Sequence, residues 1–225
     1  MHDINVNTSV LEANQTLALE NREIFTRKGL YVFNLMSGPG AGKTTLLERT
    51  ISELKDRYNF AVIEGDVQSD ADARRIGKQG VPVVQINTGG ACHLDARLVH
   101  NHLSHFDLDN LDCLIIENVG NLVCPAEFDL GEQDKVMLLS VTEGDDKPRK
   151  YPVMFHVARL VLLTKIDLLP YVDFDVDAAG NAISSLNLDA GIVPLSARTG
   201  EQFSRWTDWL SDRIERVKKL SGREG

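Results

Sequence analysis

The 225-residue sequence has three cysteines, no excess of basic residues and no long apolar segment. Cys92, Cys113 and Cys124 are an odd set for a disulfide framework, so free thiols or metal ligands are considered first. The formal net charge of -9 argues against a broad nucleic-acid or acidic-membrane surface, because such partners are bound by clustered Lys and Arg. No segment has the pattern of a membrane span or a signal peptide. We therefore expect a cytoplasmic protein without membrane or nucleic-acid partners.

Internal repeats and low-complexity segments are also missing, and the length suits one α/β domain. Short apolar segments alternate with helical patterns, which predicts a mostly parallel sheet with helices on both faces. The predicted strands are 30–33, 60–64, 82–86, 111–117, 136–141, 160–163 and 192–195. The predicted helices are 6–28, 43–57, 70–78, 178–186 and 201–220, and the polar segment 142–152 is predicted to be a loop. We expect residues 1–29 to form a helical extension packed on a domain that spans 30–225.

A glycine-rich segment follows the first predicted strand and reads Ser-Gly-Pro-Gly-Ala-Gly-Lys-Thr-Thr. Its glycines allow successive backbone N–H groups to turn toward a polyphosphate. Lys43 can contact the β- and γ-phosphates, and Thr44 begins a helix where its hydroxyl can bind Mg²⁺. Ser37 replaces the first glycine of the pattern G-x-x-x-x-G-K-[ST], and the alternative is a glycine-rich turn that happens to carry a lysine. The predicted phosphate-binding residues are Gly38, Gly40, Ala41, Gly42, Lys43, Thr44 and Thr45.

Acidic residues follow two other predicted strands. Glu117 ends the strand 111–117 and is expected to contact Mg²⁺ or its water, while Gly120 can follow the γ-phosphate. Asp66 follows the strand 60–64 at the sheet edge where ligands bind, so it is a candidate for the Mg²⁺ shell or for positioning water. Alternatively, Asp66 caps the helix predicted at 70–78. The predicted catalytic residues are Lys43, Asp66 and Glu117, and the predicted magnesium ligands are Thr44, Asp66 and Glu117.

A carboxylate late in the chain indicates the nucleotide base. Asp167 can accept two hydrogen bonds from N1–H and the exocyclic amine of guanine, whereas adenine would leave this charge unpaired. The segment therefore favours GTP. Thr164-Lys165-Ile166-Asp167 resembles the N-K-x-D motif of GTPases, with Thr164 in place of Asn and Lys165 along the base. Ser196 and Ala197 resemble the later loop that contacts the guanine oxygen through backbone N–H, and an Asp that only caps a helix is the alternative for Asp167.

Six segments together resemble the HypB family of hydrogenase nickel-incorporation GTPases, within the class that includes the urease accessory GTPase. They are 37–45, Glu64-Gly65-Asp66, Cys92-His93-Leu94-Asp95-Ala96, 117–125, 143–148 and 167–170. The resemblance implies a P-loop NTPase fold of the SIMIBI class and a GTP-hydrolysing metallochaperone that assists nickel delivery to a [NiFe]-hydrogenase precursor. Delivery of nickel or another cofactor to urease or another enzyme, and a non-catalytic GTP-binding oligomerisation switch, are the alternatives.

The resemblance also implies partners, namely a homodimer formed on GTP or metal binding, another nickel-delivery accessory protein and the hydrogenase large-subunit precursor. Lys147, in the polar segment 142–152, is the candidate for contacting the partner's nucleotide, although a solvated charged loop explains it as well. Some family members carry an N-terminal cysteine cluster or histidine-rich stretch. Before Gly29 this sequence has one histidine, His2, and no cysteine, so we expect metal binding in the GTPase domain itself.

Cys92, His93 and Cys124 are the predicted metal ligands. Cys92 and His93 follow the third predicted strand and Cys124 lies shortly after Gly120, so both segments leave the same edge of the sheet. Two thiolates and an imidazole suit Ni²⁺ or Zn²⁺. The alternative is two buried thiols and a surface histidine, and Cys113 is most simply a small buried residue within a strand.

Overall fold

The computed structural model describes residues 6–66 and 71–223 and contains a seven-stranded sheet. Its strands are β1 (Tyr31–Ser37), β2 (Phe60–Asp66), β3 (Val83–Asn87), β4 (Cys113–Glu117), β5 (Asp134–Ser140), β6 (Leu160–Thr164) and β7 (Gly191–Pro194). The strand order is β3-β2-β4-β1-β5-β6-β7, and every pairing is parallel. The prediction of a mostly parallel α/β sheet is therefore confirmed.

Helices connect the strands and cover both faces of the sheet. They are α1 (Val6–Lys28), α2 (Lys43–Leu54), α3 (Ala71–Gly77), α4 (Ala96–His102), α5 (Cys124–Glu127), α6 (Lys147–Lys150), α7 (Pro152–Val157), α8 (Val176–Leu186) and α9 (Phe203–Leu220). Short 3₁₀ segments lie at Leu103–His105 and Ile166–Tyr171. In the part of the chain that the structure describes, no helix is both long and apolar enough to cross a membrane.

The core follows from the alternation of side chains along the strands. On one face of the sheet, odd-numbered residues of β1 such as Phe33 pack with Leu46 of α2 and Trp206 of α9. On the other face, Val32 of β1 packs with Phe25 of α1, and α4, α7 and α8 cover the remainder. Each large side chain buried in this way contributes about 1.5–3 kcal/mol.

Helix α9 is tied to the helix that follows the glycine-rich segment. The indole Nε1–H of Trp206 donates to the hydroxyl of Thr50 on α2 at 2.8 Å, and both residues are buried. Trp206 stacks on Trp209, with ring centroids 5.7 Å apart. The buried hydrogen bond and the aromatic contacts thus hold α2 in place on the sheet.

Helix α1 packs on the sheet through specific polar contacts as well as Phe25. The buried Asn21 amide donates to the carbonyls of Ala96 and Leu130, each at 3.0 Å. Arg22 forms an ion pair with Asp129 at 2.8 Å. The predicted N-terminal helix is confirmed, and the division into an extension and a domain stays a prediction.

Some predicted element bounds differ from the structure. The prediction of a loop at 142–152 is wrong for α6 and for the first residue of α7. In α6, buried Pro148 occupies the first turn, where a missing N–H costs little, and Asp146 pairs with Lys150 one turn on, so a strongly charged segment forms a helical turn. The helix α5 was not predicted because it has only four residues. The helix α4 was not predicted either, although the Asp95 side chain caps its start by accepting a hydrogen bond from Leu98 N–H. The helix predicted at 70–78 is observed as α3, and Asp70 lies outside the described residues.

Candidate functional site

The glycine-rich segment forms a loop between β1 and α2. Gly42, the residue before α2, has a φ of 100°, which favours glycine, and no side chain caps the helix. The first N–H groups of α2 are thus available to an anion. Beside them lies a groove of about 330 Å³, lined by Gly40, Ala41, Gly42, Lys43, Thr44, Thr45, Asp72, Arg75, Glu117 and Lys165.

Lys43 and Glu117 face one another at this groove. The ammonium of Lys43 lies 3.9 Å from Oε1 of Glu117 and 3.3 Å from the hydroxyl of Ser37. Both side chains are largely buried, and among the described residues Oε2 of Glu117 is one of the few buried side-chain oxygens without a hydrogen-bond partner. A buried carboxylate oxygen without a partner is costly, so a cation or a water bound to one fits this position.

A second buried acid, Glu64, stands beside Glu117. The two residues are register partners in β2 and β4, on the sheet face that packs against α2. Burial raises the pKa of Glu64 to about 8, with further contributions from the charges of Glu117 and Asp66. Burial likewise raises the pKa of Glu117 to about 7, and Lys43 opposes that rise. The sheet edge therefore concentrates carboxyl groups that share little positive charge.

A second cavity, of about 210 Å³, adjoins the groove and shares Ala41, Gly42, Thr45 and Lys165 with it. Asp167, Ser196 and Ala197 line its far end. Within the described residues, Oδ1 of Asp167 is buried without a partner, which suits a ligand that donates hydrogen bonds. The structure thus brings the predicted phosphate and base residues together along one continuous cleft.

The loops around the second cavity are held by hydrogen bonds. The Thr164 hydroxyl donates to the carbonyl of Ala41 at 2.8 Å, and the Lys165 ammonium donates to that of Gly40 at 2.6 Å. Thr164, which stands in place of the Asn of the N-K-x-D motif, therefore joins the base segment to the phosphate loop. The Ser196 N–H already donates to the backbone carbonyl of Glu201 at 2.9 Å, so of the two predicted residues Ala197 is the one whose N–H can serve a base.

Cys92, His93 and Cys124 lie close together, as the sequence predicted. Their ligand atoms all fall within 4.8 Å of one another, and the two sulfurs are 2.8 Å apart. The His93 ring stacks on Phe128 at a centroid distance of 3.8 Å, and burial lowers its pKa, which favours the neutral imidazole. A hydrogen bond to Cys92 and then burial raise the pKa of Cys124 to about 11. Two thiols and a neutral imidazole are a donor set that fits Ni²⁺ or Zn²⁺.

The metal-ligand loop is connected to the acid at the groove. Asn118, which follows Glu117, accepts a hydrogen bond from the N–H of Leu94 at 3.0 Å. Leu94 also packs so closely on Gly65 that a Cβ there would lie 2.8 Å from its side chain. The residue after His93 therefore contacts the ends of both β2 and β4.

The remaining predicted residues lie outside the linings of the two cavities. Gly38 lies against Glu143, and Gly120 lies against Pro39 of the phosphate loop. Asp66 is the last residue of β2, at the same sheet edge as Glu117. The ammonium of Lys147 lies 5.6 Å from the ring of Tyr151.

Sequence reasoning assigned no role at the site to Glu64, Asp72, Arg75 or Glu143. The sequence does carry a signal for Glu64, because this charged residue directly follows the apolar run 60–63 within β2. Glu143 carries none, because it is one of several charges in a polar segment. In the structure it accepts a hydrogen bond from Ser140 N–H at 2.9 Å, and burial raises its pKa.

The sequence and the fold are both similar to those of known proteins. A model of the CobW/HypB/UreG nucleotide-binding domain matches residues 31–194. The hydrogenase maturation factor HypB of Azotobacter vinelandii is 53% identical over 207 residues, which cover 92% of this chain and 68% of that protein. The crystal structure of HypB from Archaeoglobus fulgidus has a TM-score of 0.86 at 40% identity and covers 91% of this chain and 100% of that one. HypB from Helicobacter pylori, solved in complex with nickel, has a TM-score of 0.85 at 40% identity, with coverage of 91% and 96%.

The buried acids predict an unusual pH dependence of stability. The folded protein keeps protons on Glu64 and Glu117 up to a pH of about 8 and about 7, whereas an unfolded chain loses them near 4.5. The free energy of unfolding should therefore fall as the pH rises through this range. Glu64→Gln should flatten that slope and stabilise the protein at the upper end by about 1–3 kcal/mol.

Urea denaturation of protein freed of nucleotide and metal measures this effect across the same pH range. Glu20→Gln, a change at an exposed glutamate of α1, is the control and should keep the wild-type slope. Equal slopes for Glu64→Gln and the wild type would contradict the assignment of the proton to the buried pair.

Proposed function

Because the chain belongs to the HypB family of hydrogenase maturation factors, within the CobW/HypB/UreG nucleotide-binding proteins, we propose that it is a GTP-hydrolysing metallochaperone. In this proposal, GTP hydrolysis times the delivery of nickel to a [NiFe]-hydrogenase precursor. The observation that carries it is a pair of buried carboxylate oxygens, one on Glu117 and one on Asp167, that have no hydrogen-bond partner among the described residues and line the two adjoining cavities of the cleft. One suits Mg²⁺ or its water, and the other suits guanine.

The phosphate end of the cleft is proposed to perform the hydrolysis. Lys43 and the N–H groups at the start of α2 meet the negative charge on the transferred phosphoryl group. Thr44, Asp66 and Glu117 would hold Mg²⁺, which neutralises charge between the β- and γ-phosphates when bound. Asp66 or Glu117 also orients the attacking water, and Gly120 adjoins the γ-phosphate. Turnover is expected to be slow, as befits a timing device.

The other end of the cleft is proposed to select guanine. Asp167 accepts from N1–H and the exocyclic amine, Lys165 lies along the base, and Ala197 donates its N–H to the base oxygen. Adenine would leave Asp167 without donors in a small cavity, at a cost of about 1–3 kcal/mol or more.

The cluster of Cys92, His93 and Cys124 is proposed to hold the nickel cargo. The nickel complex of the Helicobacter pylori relative supports this metal, and Zn²⁺ would fit the same donors. Three ligands leave a coordination position for water, an acid or a residue of a second subunit. Asn118 supports coupling between metal and nucleotide, since it joins the loop after His93 to the residue after Glu117.

The proposed partners follow from the same role. A homodimer would form on GTP or metal binding, and the metal would pass between this protein, another nickel-delivery accessory protein and the hydrogenase large-subunit precursor.

The base assignment is tested by changing the nucleotide preference. Asp167→Asn should weaken GTP binding by roughly tenfold to a hundredfold and favour xanthosine triphosphate, whose base carries a carbonyl in place of the amine. Binding and steady-state turnover of both nucleotides are measured. Asp173→Asn removes an exposed aspartate nearby and should leave the preference for GTP unchanged. An unaltered preference in Asp167→Asn would refute the assignment.

The metal site is tested by titrating Ni²⁺ and Zn²⁺ into the wild type, Cys92→Ala and Cys124→Ala, each with GDP and with a GTP analogue. Both variants should lose binding, and wild-type affinity should rise with pH, since the Cys124 thiol has a pKa of about 11 and must lose its proton to bind. Affinity should also differ between the nucleotides.

Cys113→Ala is the matched control, because its thiol is buried within β4. Wild-type stoichiometry in both site variants would disprove the metal site. If both site variants lose metal but the wild type binds it equally well with GDP and with the analogue, the metal site stands and only the coupling is disproved.

The homodimer is tested by light scattering with a non-hydrolysable GTP analogue, which should double the mass. If Lys147 contacts the partner's nucleotide, Lys147→Ala should weaken the dimer, because a charge-assisted contact is lost. Arg149→Ala removes an exposed positive charge from the same segment and should have no effect. A wild-type mass that stays monomeric at high concentration would argue against the dimer.

A further inference from the structure

Arg75 lies in the wall of the phosphate groove but has no part in the function proposed above. It belongs to α3 and lines the groove together with Lys43, Thr44 and Glu117. Its Nη2 atom lies 3.5 Å from the hydroxyl of Thr45, the last residue of the phosphate-loop motif. A guanidinium is therefore held beside the loop that is proposed to bind the triphosphate.

In the structure this guanidinium is bound by carboxylates. Its Nε and Nη2 donate to the two oxygens of Glu48 at 3.1 and 2.6 Å, which is a bidentate pair. Nη1 also donates to Asp72 at 3.3 Å. A planar guanidinium fits phosphate oxygens in the same two-pronged geometry as carboxylate oxygens. Glu48 thus holds Arg75 in the arrangement that a phosphate group would otherwise accept.

The charge balance of the groove favours a further cation. Lys43 lies beside Glu117, and Lys165 is bound to the Gly40 carbonyl at the end nearer the base. Asp72 of α3 adds a negative charge to the groove wall, and GTP would bring several more. The Arg75 side chain is 44% exposed, so it has room to exchange one anionic partner for another.

We propose that Arg75 leaves Glu48 and binds the phosphate chain of the bound nucleotide. This inference rests on the proposed function, since it takes GTP as the ligand of the groove. Glu48 is then a competitor of the nucleotide for the guanidinium. Removing Arg75 and removing Glu48 should therefore change nucleotide affinity in opposite directions, whereas an ion pair that only joins α2 to α3 would give two losses of the same sign.

The test measures binding of a Mg²⁺-bound, non-hydrolysable GTP analogue to the wild type, Arg75→Gln, Glu48→Gln and the double variant. Arg75→Gln should weaken binding by about tenfold or more. Glu48→Gln should tighten it, and this gain should vanish in the double variant. Lys78→Gln, which removes an exposed positive charge just after α3, is the control and should bind like the wild type.

Thermal unfolding without nucleotide separates binding from folding. The Glu48→Gln variant still contains Arg75, so it tests the competition even if Arg75→Gln fails to fold. Unchanged affinity in a folded Arg75→Gln, or weaker binding in Glu48→Gln, would overturn the role of Arg75 while leaving GTP binding intact. A wild type that binds no analogue would instead overturn the proposed function, and the role of Arg75 with it.

Discussion

The register between parallel strands is the constraint on which the site depends. β4 lies between β1 and β2, so its carboxyl end emerges beside both the phosphate loop and the acids of β2. The pairing of Leu35 and Glu64 with Glu117 puts the acid of β4 within reach of Lys43 without any long loop. Since one residue of slippage would turn Glu117 toward the opposite face, the hydrophobic alternation that builds the core also fixes the chemistry.

The site retains features that oppose folding. Glu64 and Glu117 are buried side by side, and each has an oxygen without a partner among the described residues. Such groups cost stability unless a cation, a proton or a hydrogen-bond donor meets them. Their position at the mouth of the phosphate loop, rather than deep in the core, indicates that a ligand supplies what the protein lacks.

Much of the fold and part of the site could be predicted from the sequence. Buried parallel strands are recognisable in the sequence as short apolar runs. The phosphate loop and Asp167 lie in local motifs with a characteristic spacing. The Cys92, His93 and Cys124 cluster followed from strand ends that share an edge. The pairing of Glu64 with Glu117 needs the register between distant strands, and the pairing of Arg75 with Glu48 needs the packing of α3 on α2. Neither pairing can be predicted from local sequence. The helical turn α6 was not predicted because its residues are mostly charged, which is typical of a loop.

The two tryptophans of the chain lie next to each other on α9, and one of them is hydrogen-bonded to α2. The tryptophan fluorescence of the protein therefore comes from a single place, beneath the helix that begins at the phosphate loop. A displacement of α2 would alter the hydrogen bond of the Trp206 indole and so the emission spectrum. Tryptophan emission thus reports on the position of the helix that follows the phosphate loop.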